Sequence, residues 1–139
     1  VKARAVKGLD PGGPLRPNVT QIVATRLDEL RGFVDSALAP GASEAQHEMR
    51  IAAKRLRYVL ELFGPCLGEG AEQARQAAKQ LQSVLGDLHD CDLMLGKVEG
   101  IVSVEAILRG RRQRLFREFV ELWQAETSKG TWAALEASL

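Results

Sequence analysis

Aromatic residues make up only 5% of this 139-residue chain, which also holds just two cysteines and two histidines and carries a formal net charge of +1. Few aromatics and few β-branched runs, beside abundant Ala, Leu, Glu, Gln and Arg, exclude a strand-rich fold and point to an all-α one. Cys66 and Cys91 are too few and too far apart for a disulfide framework or a zinc knuckle. A net charge near zero excludes an overall basic surface of the kind that wraps nucleic acid or anionic membrane, so any anion site has to arise from local arrangement. No apolar run approaches the roughly 20 residues that cross a bilayer, and no leader-like segment opens the chain. The expectation is a soluble, cytoplasmic protein without membrane contact. The first residue is Val1 rather than Met, as expected of a piece of something longer.

What is present is a 45% apolar content, enough for one compact domain over residues 1–139. Residues 1–17 read as an N-terminal segment and loop, because Gly8 to Pro14 is dense in turn formers. Helical spacing of Val19, Ile22, Val23, Leu27, Leu30, Val34 and Leu38 predicts a first helix opened by Asn18 and ended by Pro40-Gly41. A second starts near Ser43 and stops at Gly64-Pro65. A third carries Ala74, Ala77, Ala78, Leu81, Leu85, Leu88 and Leu95, with Gly86 as a weak point inside it. A fourth spans about Val102 to Glu126, and a short last helix lies near Trp132 to Leu139. Four amphipathic segments with short connections predict an up-and-down four-helix bundle.

The second helix divides into two faces. At about 100° per residue, His47, Arg50, Lys54 and Arg57 fall within an arc of about 80°, opposite Met49, Ala52, Ala53, Leu56, Val59, Leu60 and Phe63. Four donors along about 15 Å of helix form a row for successive phosphates of an extended chain, with Arg supplying planar paired contacts and Lys a point charge. A solvated polar face is the plain alternative, but such faces normally interleave carboxylates with the cations, and between His47 and Tyr58 the only carboxylate is Glu48, outside the stripe, before Glu61 ends the row.

Two more arginines fall where apolar residues are expected. Arg26 lies in the apolar arc of the first helix and Arg111 between Ile107, Leu108 and Leu115 of the fourth. An ion pair from one of them to Asp92 is the structural explanation; a surplus of cations around one anion site, extended by Arg114, is the functional one.

The segment His47-Glu48-Met49-Arg50-Ile51-Ala52-Ala53-Lys54-Arg55-Leu56-Arg57-Tyr58 resembles the H-x-x-R-x-x-x-K-R-L-R-Y signature of the CHAD family, the conserved histidine α-helical domain. Leu81-Gln82-Ser83-Val84-Leu85-Gly86 followed by His89-Asp90-Cys91-Asp92 is similar to a later motif of that family. The resemblance implies two pseudo-symmetric four-helix bundles around a basic channel, non-catalytic binding of inorganic polyphosphate, and frequent fusion to a CYTH triphosphatase domain. It places the motif cations on His47, Arg50, Lys54, Arg55 and Arg57. With one copy of the motif, the chain corresponds to about half of such a domain, so pairing with a second copy is expected, as is a location at polyphosphate granules. Two other classes stay open: a metal-dependent phosphohydrolase using His47, His89 and Asp90, and a nucleic-acid-binding helical module. No cofactor is expected.

Overall fold

The computed structural model describes residues 2–139. Its helices are α1 (Leu15–Ala37), α2 (Ser43–Phe63), α3 (Glu69–Lys97), α4 (Val102–Lys129) and α5 (Thr131–Ala137), with a 3-10 turn at Gly64–Cys66 between α2 and α3. Among the described residues there is no strand, in agreement with the all-α expectation. Three connections between helices use glycine at positive φ, where other side chains would be strained, and one of them is Gly100 between α3 and α4 at φ +91°. Gly68 enters α3 at φ +87°, and Gly130 closes α4 at φ +77° with its amide bonded to the carbonyls of Glu126 and Thr127.

Helix α1 begins three residues before the expected Asn18. Pro17 sits in the first turn, where its missing N–H costs nothing, so it starts the helix instead of delaying it. Asn18 folds back rather than capping: its Nδ2 donates to the Asp10 carbonyl at 2.6 Å and its Oδ1 accepts from the Asp10 amide at 2.8 Å, which fastens the preceding loop. Helix α3 runs unbroken through Gly86.

Helix α2 packs between α1 and α3, and α3 packs in turn against α4 and α5. The core takes Val19, Val23, Leu27 and Leu30 from α1, and Met49, Ala52, Ala53, Leu56 and Leu60 from α2. It is completed by Ala71, Ala74, Ala77, Ala78, Leu81, Leu85 and Leu88 of α3 with Leu115, Phe119, Trp132 and Leu135. The small Ala stripe lets α3 approach its neighbours closely, since interaxial distance follows side-chain size at the contact.

Helix α4 buries a different face from the expected one. Arg111 is exposed, and so is Ile107 at 70%, because the first half of α4 overhangs the bundle and contact with the core begins only around Leu115. The inward arginine is Arg112, on the same face as Leu115 and Phe119 at helical spacing. Its Nε pairs with Asp92 Oδ1 at 2.5 Å, and its terminal nitrogens donate to the Pro40 carbonyl at 2.8 Å and Gln46 Oε1 at 2.6 Å. Buried Gln46 donates in turn to the carbonyls of Ala37 and Ala39. One guanidinium thus joins the α1–α2 turn, α3 and α4, and Asp92 has the ion-pair role expected of it with a different arginine.

Candidate anion-binding groove

The sides of α2 and α3 that face away from the core meet in a groove of about 440 Å³ lined by Arg50, Arg57, Lys79, Gln82, Ser83, Gly86, Asp87, His89 and Asp90. The helices run antiparallel, which sets His47 against His89 at one end, Arg50 against Gly86, and Glu61 against Arg75 at the other. The Arg50 stem lies across α3 at Gly86, where a Cβ would stand 3.7 Å from Arg50 Cδ, an ordinary van der Waals contact. Lys54 stands between Arg50 and Arg57 along the helix and is half-buried, but it is not among the residues that line the groove.

Every half-buried arginine of the described residues except Arg50 is paired with a carboxylate. Arg26 and Arg55 share Glu29, Arg31 takes Glu136, Arg57 takes Glu61, Arg75 takes Glu72 and Arg112 takes Asp92. Neither Arg50 nor Lys54 forms such a pair, and the Arg50 Nε is buried without a hydrogen bond. A cation withdrawn from water without a partner is costly, and an anion in the groove would remove that cost.

The two imidazoles lie face to face, with centroids 3.9 Å apart and planes inclined by 20°. Burial lowers the His47 pKa below its ordinary value of 6.5; positive charge on His89 and Arg50 acts the same way, against the opposing pull of Glu48. His47 is therefore neutral at neutral pH, and its Nδ1 is buried without a partner. Ring nitrogens bind a metal in the plane of the ring, so two near-parallel stacked rings do not converge on one ion. Among the described residues no three His, Cys, Asp or Glu side chains are grouped to hold a metal ion.

Of the residues singled out from sequence, Arg50, Arg57, His89 and Asp90 line the groove, His47 stacks on His89 at one end, and Lys54 lies on α2 between the two arginines without lining it. Arg26, Arg55, Arg111 and Arg114 lie elsewhere. Arg26 donates to Glu29 Oε1 at 2.8 Å and to the Arg4 carbonyl at 2.9 Å, and Arg55 reaches Glu29 Oε2 at 3.3 Å, so both serve the α1–α2 interface. Arg111 and Arg114 are exposed on α4 and do not line the groove. The α3 wall of Lys79, Gln82, Ser83 and Gly86 escaped the sequence reading, although these residues share one polar stripe of α3 at helical spacing.

Beyond Arg57 the seam turns acidic. Arg57 Nε lies 3.1 Å from Glu61 Oε1, and its guanidinium sits 4.8 Å over the Tyr58 ring. A hollow of about 690 Å³ follows, lined among others by Glu61, Glu69, Glu72 and Arg75. Glu72 is held down to about 2 by hydrogen bonds from Arg75 and Gln76, so it carries its negative charge throughout the ordinary pH range. This larger hollow has the wrong sign for an anion.

No curated protein and no solved structure matches the chain. The family model of the CHAD domain matches residues 2–99, a stretch that holds α1, α2, α3 and the whole groove between α2 and α3. The chain therefore belongs to the CHAD family.

Proposed function

We propose that the protein binds inorganic polyphosphate without catalysis, holding it in the α2–α3 groove on Arg50, Lys54, Arg57 and Lys79 with the His47–His89 pair at one end. The observation that carries this reading is the unpaired state of Arg50 and Lys54 in a chain whose other half-buried arginines all have carboxylates. Phosphate oxygens satisfy a guanidinium as carboxylates do, and a linear ligand matches cations spaced along a helix. The same reading places the protein in the cytoplasm where polyphosphate accumulates, next to a triphosphatase domain of the CYTH type.

The deciding experiment is a binding isotherm for long-chain polyphosphate between about 50 and 300 mM salt, with single-stranded DNA as competitor. Affinity is expected to fall steeply with salt, as displaced counterions return. DNA is the informative rival, because Tyr58 is 49% exposed beside Arg57 and offers a face for a base to stack on. Absence of binding, or equal displacement by DNA at matched phosphate concentration, would overturn the polyphosphate reading.

Leu93, Met94, Ile101, Val102 and Ile107 are all exposed around the α3–α4 turn. They support the reading that a second copy of the chain covers this end of the bundle. Sedimentation equilibrium is expected to show a mass that doubles with concentration; a monomer throughout the high micromolar range would refute self-pairing.

A further inference from the structure

Beyond Arg57 the groove runs into acidic residues, and this bears on which polyphosphates it takes if the binding reading above holds. Along α2 the sign of charge reverses within a single turn: Arg57 is the last cation and Glu61, four residues on, is the first carboxylate on the same face. On the facing helix, Arg75 is no continuation of the cationic track. Its Nε and NH2 both bond to Glu72, at 2.8 and 2.6 Å, and its NH1 lies 4.0 Å from Glu61 Oε1. The hollow beyond therefore presents Glu61, Glu69 and Glu72 around one arginine already engaged by two of them.

We propose that Glu61, backed by Glu69 and Glu72, is a stop that ends the anion track at Arg57, so that the site grips a short run of phosphates and does not follow a long chain further along the α2–α3 seam. A polyanion lying on the track from His47 passes the α2 cations over about 15 Å of helix, with Asp87 and Asp90 on the facing wall, and then meets Glu61 on α2 itself. Because the track is finite, length beyond that span adds no contact. Chain-length selectivity thus comes from the acidic residues and not from the cations, which would serve any length.

The test compares tripolyphosphate with long-chain polyphosphate on wild type, Glu61→Lys and Glu69→Lys. Glu61 is substantially exposed, with 42% of its side-chain surface open, and circular dichroism melting checks that each variant is folded. One added phosphate contact corresponds to about a tenfold gain in affinity. Long-chain affinity is expected to rise by about that factor in Glu61→Lys, and tripolyphosphate affinity by at most about a third of it. Glu69→Lys, which leaves the Arg57–Glu61 pair in place, should shift preference towards long chains in the same direction. An equal gain for both ligands would mean that Glu61 only tempers Arg57, and would overturn the stop; so would a Glu69→Lys variant with unchanged length preference. Failure of wild type and both variants to bind either polyphosphate would instead remove the binding reading on which the stop depends.

Discussion

Replacement of Glu29 by Ala is expected to destabilise the fold by about 3 kcal/mol, the low end of the range for breaking a buried ion pair by removing one partner. Glu29 is 4% exposed and its carboxylate is the meeting point of three donors. The Arg4 amide reaches Oε2 at 2.7 Å, Arg26 NH1 reaches Oε1 at 2.8 Å and Arg55 NH1 reaches Oε2 at 3.3 Å. Without the carboxylate, Arg26 and Arg55 lose their shared anion at the α1–α2 interface, and the N-terminal segment loses the hydrogen bond from the Arg4 amide. Both arginines retain some solvent contact, 15% and 22% of their side-chain surface, which holds the loss at the lower bound. Burial alone would push the Glu29 pKa up, but the Arg4 hydrogen bond, the hydrogen bond and charge of Arg26 and the charge of Arg55 outweigh it, so the pKa lies below its ordinary 4.5. A carboxyl depressed in the folded state stabilises above its unfolded pKa and loses that contribution as pH falls through the folded value. Urea unfolding at neutral pH measures the first effect, and repeating it below about pH 4.5 measures the second, since the gap between wild type and Glu29→Ala should narrow there. A neutral-pH loss under about 1 kcal/mol, or a gap independent of pH, would show that Glu29 is not what reconciles the two arginines.

Glu29 also marks where sequence reading stops. Periodicity located the helices because apolar spacing reports the buried face of each helix taken singly, and it placed Arg50, Lys54 and Arg57 on one side of α2 correctly. It could not say which helix each face meets. Arg26 was read as an inward cation in need of an anion, which is right, but its anion is three residues away on the same helix and is shared with Arg55 of α2. The error at Arg111 has a similar origin. The arc of Ile107, Leu108 and Leu115 centres on Arg111 only if all of α4 packs, whereas the first half overhangs and the buried stripe is set one residue over, at Arg112. Signals for the α3 wall were present as a polar stripe with a glycine in it, but their meaning depends on the register of α3 against α2. That register is fixed by how the Ala and Leu side chains of the two helices interdigitate, a property of the pair and not of either segment. The family motif supplied the connection that periodicity lacked, since it joins the basic stripe of α2 to the Leu-Gly and His-Asp residues of α3.

Removal of both unpaired cations, in an Arg50→Ala/Lys54→Ala variant, is expected to lower polyphosphate affinity by about 3 kcal/mol, roughly a hundredfold, while the fold is retained. Each charge-assisted contact is worth about 1.5 to 3 kcal/mol, and the two sites are close enough that their losses need not add in full. The salt slope should flatten by about two, one for each phosphate no longer neutralised. Stability should not fall, because neither side chain forms an ion pair whose loss would strand a partner and the unbonded Arg50 Nε is removed with the side chain. That combination separates this variant from Glu29→Ala, which costs stability and leaves the groove cations in place. Acid adds a further distinction through His47, whose pKa is lowered by burial first and by the charges of His89 and Arg50 next. Without Arg50 one of those pressures is relieved, so His47 takes up its proton at higher pH and supplies a positive charge near the vacated position. Binding curves between about pH 5 and 8, the range in which histidine changes charge, should therefore show the variant recovering part of its lost affinity on acidification. Wild type should also bind more tightly in acid, since a bound anion favours the imidazolium form of His47. An Arg50→Ala/Lys54→Ala protein that binds polyphosphate as wild type does would return this face of α2 to an ordinary solvated surface, and one that unfolds would show the two cations to be structural after all.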